Sequence, residues 1–440
     1  MRTLIKNGYV IDPASDREGY YDVLLEGERI QRIEQEILLK DTDNVLLLDA
    51  AGCYVMPGFI DLHVHLREPG YEYKETIRTG SMAAAAGGFT TICPMPNTKP
   101  ATDSSEVLEL VLLKARQEGV VNILPVGAIT MGQEGRALTD MKTLAAAGAV
   151  ALSEDGKSVM DTALYEMALR QAAAAGLPVF AHCEEKSLVG GGVINAGKKA
   201  EELGLEGISN AVEDIIAARD ILLAKETGAR LHLCHCSTKD SVMMIKAAKG
   251  EGLPVSGEVC PHHFILSDED IPGDDSNYKM NPPLRSREDV AALKEALRDG
   301  TLEVIATDHA PHSKEEKERS FREAPFGIVG LETAFALAVT ELLHTGFLTA
   351  RQLVEKLSMN PARILGIDRG SLKLGGIADI VIADPEQEYL IDKNSFFSKG
   401  KNTPFHGRKV KGKIRYTLVS GRLVYDGDKQ EIISMEEWND

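Results

Sequence analysis

The stretch Gly58–Gly70 reads GFIDLHVHLREPG, an apolar run that ends in two histidines one residue apart and then breaks into a charged loop with Pro69 and Gly70. Side chains alternate across a strand, so His63 and His65 are expected on one face, with Leu62 and Val64 on the other. Two imidazoles on one face at a strand end make a natural chelating pair for a transition metal. A lone His-x-His is weak evidence, and its weight depends on what the rest of the chain brings beside it.

Working outward, Gly58–Leu66 is the first of eight short apolar runs. The others are Phe89–Met95, Val121–Ala128, Ala149–Ser153, Pro178–Cys183, Ala229–Ser237, Pro254–Cys260 and Glu303–Asp308. Between them lie stretches with helical spacing, such as Lys74–Ala86, Ser104–Glu118, Asp161–Ala175, Asn210–Thr227, Thr238–Gly250 and Arg287–Asp299. Repeated β-then-α units imply a parallel sheet with helices outside, and eight of them imply a closed (β/α)8 barrel of the TIM type, an α/β fold. The two ends differ: residues 1–55 and 366–440 carry β-type runs with turn signals such as Asn7-Gly8. Neither end alone has the material for a core. The expected organisation is a catalytic barrel over 56–365, with 1–55 and 366–440 as the two parts of one small discontinuous β-sandwich. The long segment Glu184–Ser209, with a loop at Gly190–Gly192 and Asn195–Gly197, is read as a lid or an interface, as is Ser313–Phe326.

The remaining chemistry falls at one end of this barrel. His182 lies at the end of the fifth run, His235 at the end of the sixth and Asp308 at the end of the eighth, and Asp155 follows the fourth. All sit at the C-terminal ends of barrel strands, the face on which barrel active sites are built. Four histidines and two carboxylates suffice for two divalent ions about 3.5–4 Å apart, provided that one group bridges them; such a pair generates hydroxide at neutral pH and polarises a carbonyl. The pattern points to metal-assisted hydrolysis of a C–N bond. Parity places Leu231, Leu233 and His235 on one face and His232, Cys234 and Cys236 on the other, so the two thiols are expected to pack against helices. His309 reads as a hydrogen-bonded strand-end residue, and His344 and His406 as surface residues. His262 and His263 are left outside the expected site.

Composition narrows the classes. Of the 440 residues, 43% are apolar and 26% charged, with no uninterrupted apolar stretch near the length of a membrane span. The N-terminal MRTLIKNGYVIDP lacks the apolar core of a secretory signal, and six scattered cysteines read as reduced thiols; both predict a cytoplasmic protein. With 49 Lys and Arg against 67 Asp and Glu, the net charge of −18 argues against nucleic acid as a partner. An anionic substrate must then meet positive charge locally, from metal ions or a placed arginine.

GFIDLHVHLREPG, PMPNTKP, AHCE, HLCHCST, KMNPPLR and ATDHAPH together resemble the bacterial class I dihydroorotases, in the cyclic-amidohydrolase branch of the amidohydrolase superfamily. The likeness spans essentially the whole chain. It implies two zinc ions per subunit, with His63, His65 and Asp308 on one, His182 and His235 on the other, and Asp155 bridging. It implies that His65, Arg67, Asn97 and His312 hold the substrate's α-carboxylate side, and that Asn281 and the Phe326-Gly327 backbone close around the ring. Asp308 would be the general acid/base working with a metal-bridging hydroxide. The implied reaction is reversible cyclisation of N-carbamoyl-L-aspartate to (S)-dihydroorotate plus water, a step of pyrimidine biosynthesis. A homodimer and association with aspartate carbamoyltransferase are the partners it suggests. Hydantoinases, dihydropyrimidinases and allantoinases of the same branch bridge their metals with a carboxylated lysine, which makes Lys157 the competing residue to Asp155. Those uncharged-ring enzymes, and a non-catalytic scaffold partner of the transcarbamoylase, are the alternatives.

Overall fold

A computed structural model describes residues 2–40 and 44–433; the two outermost ends of the expected β-unit, Met1 and 434–440, and the short stretch 41–43 lie outside the described residues. The eight apolar runs form parallel strands in chain order: Phe59–Val64, Phe89–Pro94, Asn122–Ile123 continuing into Val126–Ala128, Ala151–Ser153, Val179–Ala181, Leu231–Leu233, Val255–Val259 and Val304–Ile305. The third run, expected as one strand, divides at Leu124-Pro125. Its first half pairs with the second strand and its second half with the fourth. Proline has no N–H for a ladder, so the run changes neighbour there. A parallel bridge from Val64 to His309 joins the first strand to the residues just past the eighth, and the barrel closes.

The helices form where the sequence caps them. Asp161 accepts hydrogen bonds from the N–H of Ala163 and Leu164 to start Thr162–Ala175, and Gly176, at φ 72°, ends it. Ser286 and Asp289 form a capping box at the head of Arg287–Asp299. Ile60, Leu62, Cys93, Phe180 and Cys234 fill the barrel interior. Phe59, Val64, Leu231, Leu233 and Cys236 belong to the core between strands and helices.

The terminal segments pair into one nine-stranded sheet, with Tyr54–Pro57 antiparallel to Ile380–Leu390 at the junction of the N- and C-terminal parts. Ile30, near one edge of this sheet, and Leu423, near the other, share a core with Ile5, Val55 and Ile380, so the sheet curls on itself into facing layers. Asn7-Gly8, read as a turn, is instead a bulge inside the single strand Arg2–Asp12. Asn7 adopts φ 64°, and a side chain on Gly8 would run into Val55, so the pair takes up an extra residue without reversing the chain.

Within 184–209, a short helix (Lys186–Val189) precedes a two-stranded parallel pairing of Ile194–Asn195 with Gly207–Ile208, and a second (Lys198–Leu203) connects the two strands, so Asn195 lies in a strand rather than a loop. Arg285 fixes this insert to the barrel by donating to Asn195 Oδ1 (3.1 Å) and to the Ile208 carbonyl (2.9 Å). Among the described residues no helix is long and apolar enough to cross a membrane, and the six cysteines are buried and unpaired.

Candidate metal centre

The first and eighth strands are tied together just below the site. Asp61, fully buried, accepts from the N–H of His63 (3.0 Å), the N–H of Thr307 (3.2 Å) and the Thr307 hydroxyl (2.5 Å). The His65 N–H donates to the His309 carbonyl at 2.8 Å. These bonds set the two histidines of the first strand opposite Asp308.

The six predicted ligands converge. His65 Nε2 lies 3.0 Å from Asp308 Oδ1, and His63 Nε2 lies 3.6 Å from the same oxygen. On the other side His182 Nδ1 and His235 Nε2 are 2.9 Å apart. Asp155 stands between the two groups: Oδ1 is 3.2 Å from His63 Nε2, 3.6 Å from His182 Nδ1 and 3.7 Å from His235 Nε2, while Oδ2 is 3.5 Å from His65 Nε2.

His63 Nε2 and Asp155 Oδ1 are buried without a hydrogen-bond partner in the protein. Buried polar atoms are ordinarily satisfied, so unsatisfied ligand atoms aimed at one point fit a metal ion. The charge pattern agrees. Burial opposes ionisation of Asp155, yet His63 foremost among the surrounding imidazoles carries it well below the usual carboxylate range. Burial likewise opposes Asp308, and the His65 hydrogen bond and the His63 charge pull it down. His63 is raised well above an ordinary imidazole against its burial, chiefly by Asp155. Two ionised carboxylates buried at the C-terminal end of the barrel demand positive charge between them.

Simple alternation does not describe how the side chains arrive. Leu62 faces the barrel interior and Val64 the helix side, because the pairing register shifts between Asp61 and Val64. Cys234 also faces the interior, within ligand distance of His63 and Glu258, rather than the helices; only Cys236 packs on the helix side. Leu231 and Leu233 are helix-facing although His235 reaches the centre. The sixth strand ends at Leu233, and His235 takes φ 34°, which turns the chain over. Lys157, the competing bridge, follows Gly156 at φ 75° and points elsewhere, with its ammonium on the Gln133 carbonyl at 2.8 Å.

Glu258, on the seventh strand, was not singled out by the sequence. Fully buried, it accepts from His63 Nδ1 (3.0 Å), His232 Nε2 (2.9 Å) and the His235 N–H (3.2 Å). Burial pushes its carboxyl up, but the His232 and His63 hydrogen bonds outweigh it and hold Glu258 at about 2. A carboxylate on the far nitrogen of a ligating histidine fixes its tautomer and leaves the other nitrogen to face the centre. The readable signal was an acidic residue inside a run, PVSGEVC, otherwise destined for a barrel wall.

A cavity of about 330 Å³ opens over the centre, lined among others by His65, Arg67, Asn97, Asn281, His312 and Phe326. Arg67, at φ 62°, sends Nε to the Pro311 carbonyl (3.2 Å) and brings its other nitrogens beside His312. His312 receives Lys74 Nζ on Nδ1 (3.2 Å), so Nε2 carries the proton and donates to the Phe326 carbonyl (2.8 Å). Burial, then the charges of Arg67, Lys74 and Lys317, depress His312 to about 2, so it is a neutral ring in a positive corner. Asn97 accepts from His65 Nδ1 (2.9 Å) and donates to Asp155 Oδ2 (3.4 Å). Asn281 donates to Glu184 Oε2 (2.5 Å), a second carboxylate that the sequence did not reveal, and the Gly327 N–H donates to the Lys279 carbonyl (3.0 Å). His309 is held away from the centre by Glu75 (3.4 Å) and the Gly330 N–H (3.2 Å). His262 and His263 lie against each other with tilted rings, centroids 4.2 Å apart, and with Cys260 close by, outside the cavity wall.

Solved structures match this architecture over nearly its whole length. The D-hydantoinase (dihydropyrimidinase) of a Thermus species is 28% identical, with a TM-score of 0.85 over 99% of this chain and 97% of that one. The L-hydantoinase (dihydropyrimidinase) of Arthrobacter aurescens is 26% identical, with a TM-score of 0.86 over 98% and 97%. A closed barrel with histidines and aspartates gathered at its C-terminal rim, and a curled β-unit drawn from both termini, define a metal-dependent cyclic amidohydrolase. Residues 45–241 match the family described as dihydro-orotase-like. A dihydroorotase of Caldanaerobacter subterraneus subsp. tengcongensis is 50% identical over 430 residues, covering 98% of this chain and 99% of that protein. The chain belongs to the dihydroorotase family.

Proposed function

We propose that the protein interconverts N-carbamoyl-L-aspartate and (S)-dihydroorotate plus water. The observation that carries this reading is Arg67. In an acidic protein its guanidinium, beside the neutral His312, lines the same cavity as the buried histidine and aspartate cluster. A planar cation there suits a carboxylate on the ring, which a hydantoin or dihydrouracil lacks.

The donor set suits two zinc ions: His63, His65 and Asp308 for one, His182 and His235 for the other, with Asp155 between them. When bound, the ions would supply Lewis-acid polarisation of the scissile carbonyl and a hydroxide at neutral pH. The protein's own groups do the rest. Arg67, with Asn97 and His312 beside it, takes the α-carboxylate and fixes which ring face meets the centre. Asn281, held by Glu184, and the Phe326–Gly327 loop border the ring on the opposite side. Asp308 Oδ1 lies on the metal side, 3.0 Å from His65 Nε2, so its other oxygen takes a proton from the attacking water and returns it to the ring nitrogen as the C–N bond breaks. Closure passes through the same states in reverse. The same reading places the enzyme in the cytoplasm, with 56–365 as the catalytic unit and a homodimer or aspartate carbamoyltransferase as its partners.

The likeness to hydantoinases favours one other reading, an uncharged cyclic amide as substrate. Ring opening by zinc-loaded protein with dihydroorotate, dihydrouracil, hydantoin and allantoin side by side decides between them. Turnover confined to dihydroorotate is expected, with close to two metals per chain; preference for an uncharged ring overturns the proposal.

A further inference from the structure

The segment between the two C-terminal strands Ile380–Leu390 and Lys409–Val419 leaves the β-unit and crosses to the active face of the barrel. It is pinned along the way. The Phe397 and Ser398 N–H groups donate to Glu332 (2.9 and 3.1 Å), the Ser398 hydroxyl bonds Glu75, and Lys401 Nζ closes on the Phe396 and Ser398 carbonyls (2.6 and 2.7 Å).

At its tip the buried Asn402 side chain uses its whole hydrogen-bonding face on the substrate side of the site. Oδ1 accepts the His312 N–H at 3.1 Å, and Nδ2 donates to the carbonyls of Ala310 and Gly327, both at 3.0 Å. Lys317 meets the same loop from the other side. Its ammonium donates to the carbonyls of Pro325 (3.1 Å), Gly327 (3.1 Å) and Lys279 (3.3 Å). All three of its N–H groups are directed at carbonyls, so Lys317 acts as an internal fastener rather than as an anion subsite. Gly327 fits only as glycine: a Cβ there would lie 2.7 Å from the Ala310 carbonyl and 2.8 Å from the His312 ring.

We propose that Asn402 and Lys317 are positioning residues that lock His312 and the Phe326–Gly327 loop into the arrangement that receives the substrate's carboxylate side. Neither touches the reacting atoms, and the inference rests on the substrate reading above. It explains how a polar loop stays fixed beside Arg67, because every carbonyl named here has a donor from outside the loop. A clamp of this kind acts on binding geometry more than on the proton transfers at Asp308.

The test compares Asn402→Ala and Lys317→Met with wild type as zinc-loaded enzymes. For each, KM and kcat for dihydroorotate, metal content, and hydrogen exchange of the segments around 310–316 and 324–330 are measured. The expected result is KM raised about tenfold or more with kcat within about threefold, metal content unchanged, and faster exchange confined to those segments. KM within twofold of wild type in both variants, or unchanged exchange, overturns the proposal. If wild type fails to turn over dihydroorotate, the substrate reading falls, and the exchange measurement alone decides whether these two residues hold the loop. Lys317→Met, which removes a buried charge, keeps the test open should Asn402→Ala fail to fold.

Discussion

Removing Glu258 tests whether the metal centre is set by its own ligands or by the carboxylate behind them. Glu258 receives one ring N–H from His63 and one from His232, plus the His235 backbone N–H, in a fully buried position. Hydrogen bonds to a charged group contribute about 1.5–3 kcal/mol each, and loss of an outer partner costs about 10–100-fold in metal affinity. Glu258→Ala leaves the His63 ring free to turn and should fall near the hundredfold end. Glu258→Gln keeps one carbonyl for His63 Nδ1 and turns its amide toward His232. That ring can become the acceptor, because its Nδ1 partner, the Ser256 hydroxyl at 2.8 Å, both donates and accepts. The amide variant should therefore lose only about tenfold. Competition with a chromophoric chelator, followed by metal analysis, measures both. The acid limb gives a second reading. The folded value of about 2 lies below the ordinary 4.5, so the stabilisation is present above pH 4.5 and disappears as pH falls toward 2. A gap of 2.5 units corresponds to at most about 3 kcal/mol at 1.36 per unit, and Glu258→Gln should flatten that part of the melting profile. Wild-type metal affinity in Glu258→Ala would refute the reasoning.

Asp308→Asn should lower kcat for dihydroorotate by at least about 10²-fold, as expected for a lost proton carrier; a kcat within tenfold of wild type removes that role. Asp155→Asn should lose bound metal while Lys157→Ala keeps it, because Lys157 is turned onto the Gln133 carbonyl; metal analysis giving the reverse order would put the bridge on the lysine. Arg67→Ala should raise KM for dihydroorotate about 10²-fold through loss of a two-bond carboxylate grip, leaving any activity on dihydrouracil unchanged. An unaltered KM removes the reason for assigning an anionic ring. Lys356 is a control away from the site: buried, with its ammonium 3.3 Å from the Leu302 carbonyl, it is pushed down by burial from 10.5 to about 8. Its folded value lies below its unfolded one, so stability should rise with pH from about 8 to 10.5. Lys356→Met should remove that rise and raise the melting temperature at pH 7; a lower melting temperature contradicts the burial argument.

The barrel was legible because eight short apolar runs alternate with capped helices, and a parallel sheet covered on both faces leaves that trace. The candidate ligands were legible by position, since His182, His235, Asp155 and Asp308 each stand at or just past a strand's C-terminal end. What the sequence hid depends on contacts between distant segments. Glu258 is defined by His63, 195 positions away, and Asn402 by His312, 90 positions away. Neither residue has a local pattern that reports its partner. Asn7-Gly8 shows the opposite limit, where a strong local turn signal is absorbed as a bulge because the strands on either side continue to pair.

The parity errors have two causes, a register shift on the first strand and left-handed turns beyond the strand ends, and the second bears on how the site works. Of the nine non-glycine residues with positive φ among the described residues, three are Arg67, His235 and Asp308. Left-handed backbone at such residues costs about 1–3 kcal/mol each and persists only where the surroundings over-determine it. Here they do: the Tyr71 N–H bonds the Arg67 carbonyl at 2.9 Å, the Cys236 N–H bonds the Glu258 carbonyl at 2.9 Å, and the residue after Asp308 is bridged to Val64. A strand with regular alternation could bring only every second side chain to the barrel axis, and only up to its last ladder bond. Turning the chain over just beyond that bond lets His235 follow the inward-facing Cys234 and still reach the centre. The same turn at Asp308 sets its carboxylate against both histidines of the first strand. The residues that defeat alternation are therefore the ones that have to leave the sheet to reach the cavity. A reading based on strand parity can name them but cannot assign their faces.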